Sequence, residues 1–358
     1  MSFKHNIKVF LRELYARTLF HSGVWAVVDR ASPKRLTILA GHCVSAGAVS
    51  GEGYLPADMQ ISAAKLERIL RWFGQRYSLT TVGAGWRALR GGTATRSCVA
   101  LSMDDGYLDN RTVLLPLLQR LQAPATVYLE SRPLDERRVN WSHKYFWLLS
   151  RMDFASLVQR YGTLTQDPPT QRALEKVIAA QPADQRYHIK RALKYDADPK
   201  DRDRVIDSIF VEAGGDERAL CDELYMNWSE AKELAAGGVE LGGHTINHVI
   251  LSRCDRAQAE HEIVVGARSI QTALGQAPPS FAYPWGRRWD FNQETAAIVA
   301  QAGFESAVTM HAGVNLPHTK STELKRLSIA DDARLYLLAT EACGGFELLR
   351  KLGINLSE

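Results

Sequence analysis

Short apolar runs alternate with amphipathic helical segments over much of this chain, and no other sequence feature constrains the fold as strongly. Two of the runs flank a segment that carries Val and Leu at helical spacing. A strand, a helix and a second strand at this spacing form a βαβ unit, which favours a parallel sheet. The strand-like runs are 36–40, 97–103, 125–129, 239–241, 280–283, 304–309 and 327–329. We predict an α/β fold, a distorted or incomplete (β/α) barrel.

Residues 131–225 interrupt this alternation with several helical patterns separated by prolines. We predict a helical insertion that acts as a lid or selects substrate, and an insertion without either role stays open. The predicted parts of the chain are an N-terminal amphipathic helical segment (1–34), the barrel (35–130 and 226–330), the insertion (131–225) and a C-terminal helix (331–358).

Composition excludes several classes of protein. The chain of 358 residues has 44 Lys and Arg against 40 Asp and Glu, a formal net charge of +4, which is too weak for a nucleic-acid binder. It lacks the glycine-rich dinucleotide and P-loop motifs. Five scattered cysteines without a Cys-x-x-Cys pair indicate reduced thiols. We therefore expect a soluble protein of a reducing compartment, the cytoplasm.

The N-terminal segment has the apolar periodicity of a helix. Phe3, Ile7, Phe10, Leu11 and Leu14 recur at spacings of three or four, with basic residues on the other faces. Such a helix commonly packs against its own domain. A basic amphipathic helix can also lie on an anionic membrane surface, so peripheral membrane contact stays open.

Polar clusters follow predicted strands directly, at the end where a barrel places its active site. The first is Asp104-Asp105, after the run 97–103. Adjacent carboxylates on an extended chain point in different directions, so one can bind a metal while the other accepts a proton. The alternative is that they cap the helix that follows.

The second cluster is His244-Thr-Ile-Asn-His248. Two imidazoles at this spacing can reach one divalent ion. Thr245 stands where a zincin has its glutamate base. If the protein is a hydrolase, its general base must therefore come from elsewhere, and Asp104 is the obvious candidate. Two unrelated surface histidines are the alternative interpretation.

The third cluster, Phe281-Ala-Tyr-Pro-Trp-Gly286, is another strand run that ends in a Pro-aromatic-Gly turn. Such a turn can offer a backbone N–H to an oxyanion and a flat apolar wall to a sugar ring. An ordinary tight turn with buried aromatic residues is the alternative.

In this order, the three clusters resemble the motifs of the polysaccharide deacetylases of carbohydrate esterase family 4, which share the chitooligosaccharide deacetylase homology domain. The family's Thr-Phe-Asp-Asp-Gly is similar to residues 102–106, its His-Ser/Thr-x-x-His to residues 244–248, and its Pro-Tyr-Gly to residues 284–286. The resemblance covers the predicted barrel and not the insertion.

The resemblance implies a metal-dependent hydrolase that removes an N-acetyl group from an N-acetylated sugar. The residues it implies are the metal ligands Asp105, His244 and His248, the general base Asp104, and the oxyanion- and substrate-binding Trp285, Tyr283 and Pro284. Ligands of this O, N, N kind suit Zn²⁺ as the default metal and also admit Co²⁺, Ni²⁺ or Fe²⁺.

Two family features are missing. Ala282 stands where the family has an arginine that steadies the base, and no Leu-x-His motif supplies a general acid near the C-terminus. A circularly permuted branch, similar to the poly-N-acetylglucosamine deacetylases, carries that histidine after an N-terminal strand. The residues Leu39-Ala-Gly-His42 are similar to it, so we assign His42 as the acid and keep His311 in reserve.

The substrate is not specified by these residues. A polymer, a glycolipid and an activated N-acetyl sugar all stay open, and the oligomeric state is not predicted. Hydrolysis of a non-sugar amide is an alternative that the Ala282 departure allows. An inactive glycan-binding relative is a second alternative.

Overall fold

The computed structural model describes residues 3–49, 55–179, 182–354 and 356. Its chain forms two units: Met1–Val49, Ala57–Asp135 and Leu224–Glu358 make the first, and Ser50–Pro56 with Glu136–Glu223 make the second. The second unit therefore contains most of the segment predicted as an insertion. Its role as a lid stays a prediction.

The first unit contains a parallel sheet of eight strands and a separate pair, β2 and β3. The order in the large sheet is β10-β1-β5-β6-β7-β8-β9, with β4 also paired to β5, which confirms the predicted α/β fold with an incomplete barrel. The strands are β1 (Leu36–Gly41), β2 (Cys43–Ser45), β3 (Gln60–Ser62), β4 (Ser78–Thr80), β5 (Cys98–Met103), β6 (Ala125–Leu129), β7 (Glu240–Gly243), β8 (Ser280–Ala282), β9 (Ser306–Val308) and β10 (Leu327–Ser328).

The first unit also contains helices, and the second unit is built from helices. Up to α6 they are α1 (Phe3–His21), α2 (Trp25–Ala31), α3 (Ala63–Gly74), α4 (Val82–Arg90), α5 (Leu115–Leu121) and α6 (Ser131–Glu136). Next come α7 (Trp141–Arg151), α8 (Phe154–Leu164), α9 (Pro168–Ala179), α10 (Pro182–Arg191), α11 (Pro199–Glu212) and α12 (Glu217–Leu224). The last are α13 (Trp228–Ala236), α14 (Arg256–Glu260), α15 (Gly266–Leu274), α16 (Gln293–Gln301), α17 (Leu335–Ala342) and α18 (Gly345–Lys351).

The central strands are apolar on both faces because both faces are covered. Every residue of β1, β5 and β6 is buried, as expected for parallel strands. Alternate residues enter two different hydrophobic clusters: Leu36 and Ile38 share one with Tyr128, whereas Leu39 belongs to the cluster that contains the buried residues of α3 and α5. This alternation explains why the strands read as continuous apolar runs.

Strand β4 and helix α4 were not predicted from the sequence. The three residues of β4 are only half-buried, and Gly83 and Gly85 weaken the helical pattern of α4. These glycines fit close packing: a Cβ on Gly83 would lie 2.6 Å from a Glu240 carboxylate oxygen, and one on Gly85 would lie 2.6 Å from Thr80 Cγ2.

The segment after β9 links the two ends of the large sheet. Leu324 exchanges backbone hydrogen bonds of 2.8 Å with Ala307 and Thr309 beside β9, and Ile329 N donates to Ala40 O of β1 at 2.8 Å. Because all strands of this sheet are parallel, the residues after β1, β5, β7 and β8 gather at one edge. Arg326 lies within the linking segment, directly before β10.

Helix α1 packs against the C-terminal helices of its own unit. Ala16 and Leu19 are buried, and Tyr15 Oη donates to Gly345 O at 3.0 Å. Among the helices that the structure describes, none is long and apolar enough to cross a bilayer. All five cysteines are free thiols.

Candidate active site

The three predicted metal ligands converge after β5 and β7. Asp105 Oδ1 lies 3.2 Å from His244 Nε2 and 3.4 Å from His248 Nε2, and one ligand atom from each residue lies within 4.8 Å of the other two. Asp105 and His244 are buried, and His248 is nearly so. The geometry is consistent with a site for one divalent cation.

A backbone carbonyl orients the first histidine. The Nδ1 of His244 lies 2.7 Å from Ala282 O, and because a carbonyl oxygen only accepts, Nδ1 carries the hydrogen. In the neutral imidazole, the lone pair of Nε2 therefore faces Asp105. This contact to a backbone carbonyl is typical of metal-binding histidines.

The donor set fits a cation on independent grounds. Asp105 Oδ1 is buried, and no donor in the described chain reaches it in hydrogen-bonding geometry. The carboxylate and the Nε2 lone pair of His244 are two acceptors face to face, and a cation between them satisfies both. One oxygen and two imidazole nitrogens are ligands that zinc and neighbouring divalent metals accept.

The charges in the site also favour a bound cation. Burial opposes ionisation of Asp105, yet the adjacent His244 and His248 outweigh it and hold its pKa well below the usual range. Burial opposes protonation of His244, but Asp105 and Asp104 outweigh it and raise its pKa. Carboxylates that attract a proton to this imidazole equally attract a metal ion.

Strained backbone is concentrated at these residues. Six non-glycine residues of the described chain have positive φ, and four belong to the site: Asp105 (76°), Thr245 (65°), His248 (52°) and Trp285 (63°). Left-handed backbone at such residues costs of order 1–3 kcal/mol each and concentrates at functional sites. Asp105 and His248, whose ligand atoms converge with that of His244, are two of these residues.

Glu262 supports the loop between the two histidines, and no sequence pattern pointed to it. It is 3% exposed and accepts hydrogen bonds from Ile246 N (3.0 Å), Asn247 N (2.9 Å) and Asn247 Nδ2 (2.7 Å). Its carboxylate thus satisfies two backbone donors of the loop, whose carbonyls at Thr245 and Ile246 accept from Ser131 N and Arg132 N at 3.1 Å.

Arg326 pairs with the predicted base. Its Nη1 and Nη2 donate to the two carboxylate oxygens of Asp104 at 2.6 and 2.8 Å, with both side chains buried. Burial raises the pKa of Asp104, but Arg326 outweighs it, so the net pKa lies below the usual value. The helical segment after the motif begins at Leu108, so helix capping by Asp104 is not supported.

This pairing provides the contact that Ala282 cannot make. Ala282 is buried in strand β8 and offers only its backbone carbonyl to the site. Arg326 also donates to Thr309 O at 3.0 Å and Ser102 Oγ at 3.3 Å. Its one sequence signal, an arginine directly before an apolar run, is too common to identify it.

Of the two candidate acids, His42 is the one near the carboxylates. Its imidazole contributes to lowering the pKa of both Asp104 and Asp105, and its carbonyl accepts from Asn110 Nδ2 at 3.1 Å. Burial lowers the pKa of His311, whose charged neighbours are on other segments: Glu323, Lys325 and Arg288.

The third predicted cluster divides between site and core. The ring of Trp285 is half-buried and lies edge-on to His248 at 5.1 Å. Tyr283 is 1% exposed, stacks on Phe291 at 4.3 Å and donates its hydroxyl to Thr322 O at 3.1 Å. Pro284 is also buried. The structure thus places Trp285 beside the ligands and the Tyr283 ring in the core.

Comparison with known proteins gives one family and several relatives. Residues 205–307 match the family model for polysaccharide deacetylase. Over 73 residues, 20% of this chain, the sequence is 34% identical to a chitooligosaccharide deacetylase of Bradyrhizobium sp. (strain ANU 289). The aligned stretch spans 32% of that relative.

Solved structures share the fold over most of the chain. The deacetylase PplD of Streptococcus pyogenes, solved with acetate, has a TM-score of 0.56 and 16% identity, covering 87% of this chain and 99% of its own. IcaB from Ammonifex degensii has a TM-score of 0.53 and 16% identity, covering 87% and 98%. These structures show a shared fold, and the matched segment, residues 205–307, is similar to the polysaccharide deacetylase family.

Proposed function

We propose that this protein is a metal-dependent deacetylase that hydrolyses the N-acetyl group of an N-acetylated sugar, releasing acetate and a free amine. One observation carries the proposal: Asp105, His244 and His248 converge beside Asp104, which forms an ion pair with Arg326. The similarity to a chitooligosaccharide deacetylase supports the sugar substrate.

A divalent ion held by the three ligands, most simply Zn²⁺, would polarise the acetyl carbonyl and lower the pKa of water to roughly 7. Asp104 accepts the proton of the attacking water, for which it must be ionised, and Arg326 keeps it so. The backbone N–H of Trp285 donates to the carbonyl oxygen as negative charge develops there. His42 donates a proton to the departing nitrogen, which leaves as the amine.

Two partly exposed indole rings support a substrate that contains a sugar ring. Trp285 is half-buried and Trp289 is 45% exposed, and flat apolar faces suit the apolar face of a sugar. We infer that the substrate is a glycan, a glycolipid or an activated sugar. Because all five cysteines are free thiols, we place the enzyme in a reducing compartment such as the cytoplasm.

We further propose that His42 is the acid, in the manner of the permuted branch similar to poly-N-acetylglucosamine deacetylases. Its position after β1 and beside both carboxylates supports this assignment. His311 remains the competing candidate.

The test combines mass spectrometry with metal analysis. Purified protein is incubated with N-acetylated sugars, oligomers and glycolipids, and the mass of one acetyl group is expected to be lost from at least one. Asp104→Asn should keep the metal and lose hydrolysis, whereas His248→Ala should lose both. The exposed residues Asp332 and His318 provide matched controls as Asp332→Asn and His318→Ala.

Full turnover by Asp104→Asn would contradict the base assignment. Metal without hydrolysis of any N-acetyl sugar would leave two rivals, a non-sugar amide substrate or a glycan-binding relative without activity. Hydrolysis of simple amides supports the first, and glycan binding without turnover supports the second.

A further inference from the structure

Helix α1 has an apolar face that its own unit does not cover. One side of the helix is buried through Ala16 and Leu19, whereas the opposite side is exposed. Helical periodicity puts the exposed apolar residues on a single stripe. We define this outer face by Ile7 (43% exposed), Phe10 (65%), Leu11 (46%) and Leu14 (51%).

The helix is held firmly in place with this face outward. Glu13 Oε2 accepts from Tyr336 Oη at 2.6 Å, and Tyr15 bonds Gly345 O. A Cβ on Gly345 would lie 2.7 Å from Leu19 Cδ2, so α1 sits very close to the start of α18. Rotating the outer face into the unit would break all these contacts.

The distribution of charge along the chain indicates which kind of surface the outer face contacts. The first 35 residues contain seven Lys or Arg and two Asp or Glu, a net charge of 7 − 2 = +5. The whole chain has +4, so the other 323 residues together carry 4 − 5 = −1. The basic charge is therefore concentrated in the segment that presents the apolar face, and Lys8 and Arg17 lie on opposite sides of that face at helical spacing.

An apolar stripe on a basic segment is typical of a helix that lies in the plane of a membrane interface. The apolar side chains enter the lipid, and the cations meet anionic headgroups. We propose that α1 docks this protein on an anionic phospholipid surface, with the outer face inserted and α1 parallel to the membrane. This inference is independent of the proposed hydrolysis.

Vesicle binding tests the proposal with the full chain. Co-sedimentation is measured with vesicles of phosphatidylcholine alone and of phosphatidylcholine mixed with phosphatidylglycerol. We expect binding to the mixed vesicles that weakens as salt is raised. Phe10→Ser/Leu14→Ser should lower this binding at least about tenfold, because two large apolar side chains no longer enter the lipid.

Two further variants sharpen the result. Ile178→Ser/Val211→Ser removes equally exposed apolar residues (64% and 69% exposed) from the second unit and should bind as the unaltered chain does. Lys8→Gln/Arg30→Gln should lower binding about fivefold per removed charge at low salt. Circular dichroism confirms that each variant is folded.

Three results would overturn the proposal. They are absence of binding to the mixed vesicles by the unaltered chain, equal binding by the outer-face variant, and an equal loss in the second-unit control. Light scattering adds a further test: an oligomer that dissociates in the outer-face variant, without vesicle binding, would show that a second copy covers this face instead.

Discussion

Replacing Arg326 with methionine removes one half of a buried ion pair. Asp104 then keeps a buried carboxylate that has lost its two charge-assisted hydrogen bonds of 2.6 and 2.8 Å. The side chains of Arg326 and Asp104 are 0% and 5% exposed, so water does not replace the lost contacts. Breaking such a pair from one side costs about 3–5 kcal/mol, which we expect as the loss in free energy of unfolding.

A double-mutant cycle separates the pair from the rest of the substitution. Arg326→Met also orphans Thr309 O, which costs about 1 kcal/mol more, and this term remains when Asp104→Asn is added. The cost of the unpaired Asp104 charge does not remain, because Asp104→Asn removes that charge from the double variant. We therefore expect the double variant to be more stable than the sum of the single effects by about 2–3 kcal/mol.

Denaturant unfolding followed by circular dichroism measures the three variants and the unaltered chain under identical conditions. Arg87→Met, which breaks an exposed ion pair with Glu305, is the matched control and should change stability by less than about 1 kcal/mol. If the effects of Arg326→Met and Asp104→Asn were additive within about 0.5 kcal/mol, the pair would not have the energetic role argued from its geometry.

Three further predictions concern residues around the site. Burial raises the pKa of Asp109 to about 7, so the folded state holds a proton that the unfolded state releases, and stability falls as pH rises from about 4 to about 7. The stability of Asp109→Asn relative to the unaltered chain should therefore increase by roughly 2–4 kcal/mol as the pH is raised from about 5 to about 8. A stability difference between the two proteins that is the same at both pH values, measured by denaturant unfolding, would refute this. Glu262→Gln should weaken metal affinity about 10–100-fold in chelator competition, whereas Glu260→Gln, which alters a half-buried side chain paired with Arg256, should not. His42→Ala should lower turnover about 10²–10⁴-fold with metal content unchanged, and a larger loss for His311→Ala would reverse the choice of acid.

The sequence was sufficient for the elements whose signal is local. Strands β1, β5 and β6 are continuous apolar runs because they are covered on both faces, and such runs are recognisable without a structure. The three predicted metal ligands follow strands directly, so their convergence was predictable once a parallel sheet was inferred.

Contacts between distant segments were not predictable in this way. Arg326 meets Asp104 only because the segment beside β10 lies next to the end of β5 across β1, an arrangement set by strand order. Glu262 reaches the histidine loop from a helical segment that shows only ordinary amphipathic spacing. Tyr283 directly follows strand β8. Because successive side chains of an extended chain point to opposite faces, a shift of one residue would decide whether its ring faces the core or the site.

The central claim is that Asp105, His244 and His248 hold one divalent ion. Anomalous diffraction from crystals grown with Zn²⁺ tests it most directly, because the peak locates the metal without reference to activity. We predict one peak per chain, about 2.0–2.2 Å from the two Nε2 atoms and a carboxylate oxygen of Asp105. A zinc-loaded crystal with its peak at other residues and none among these three would contradict the account.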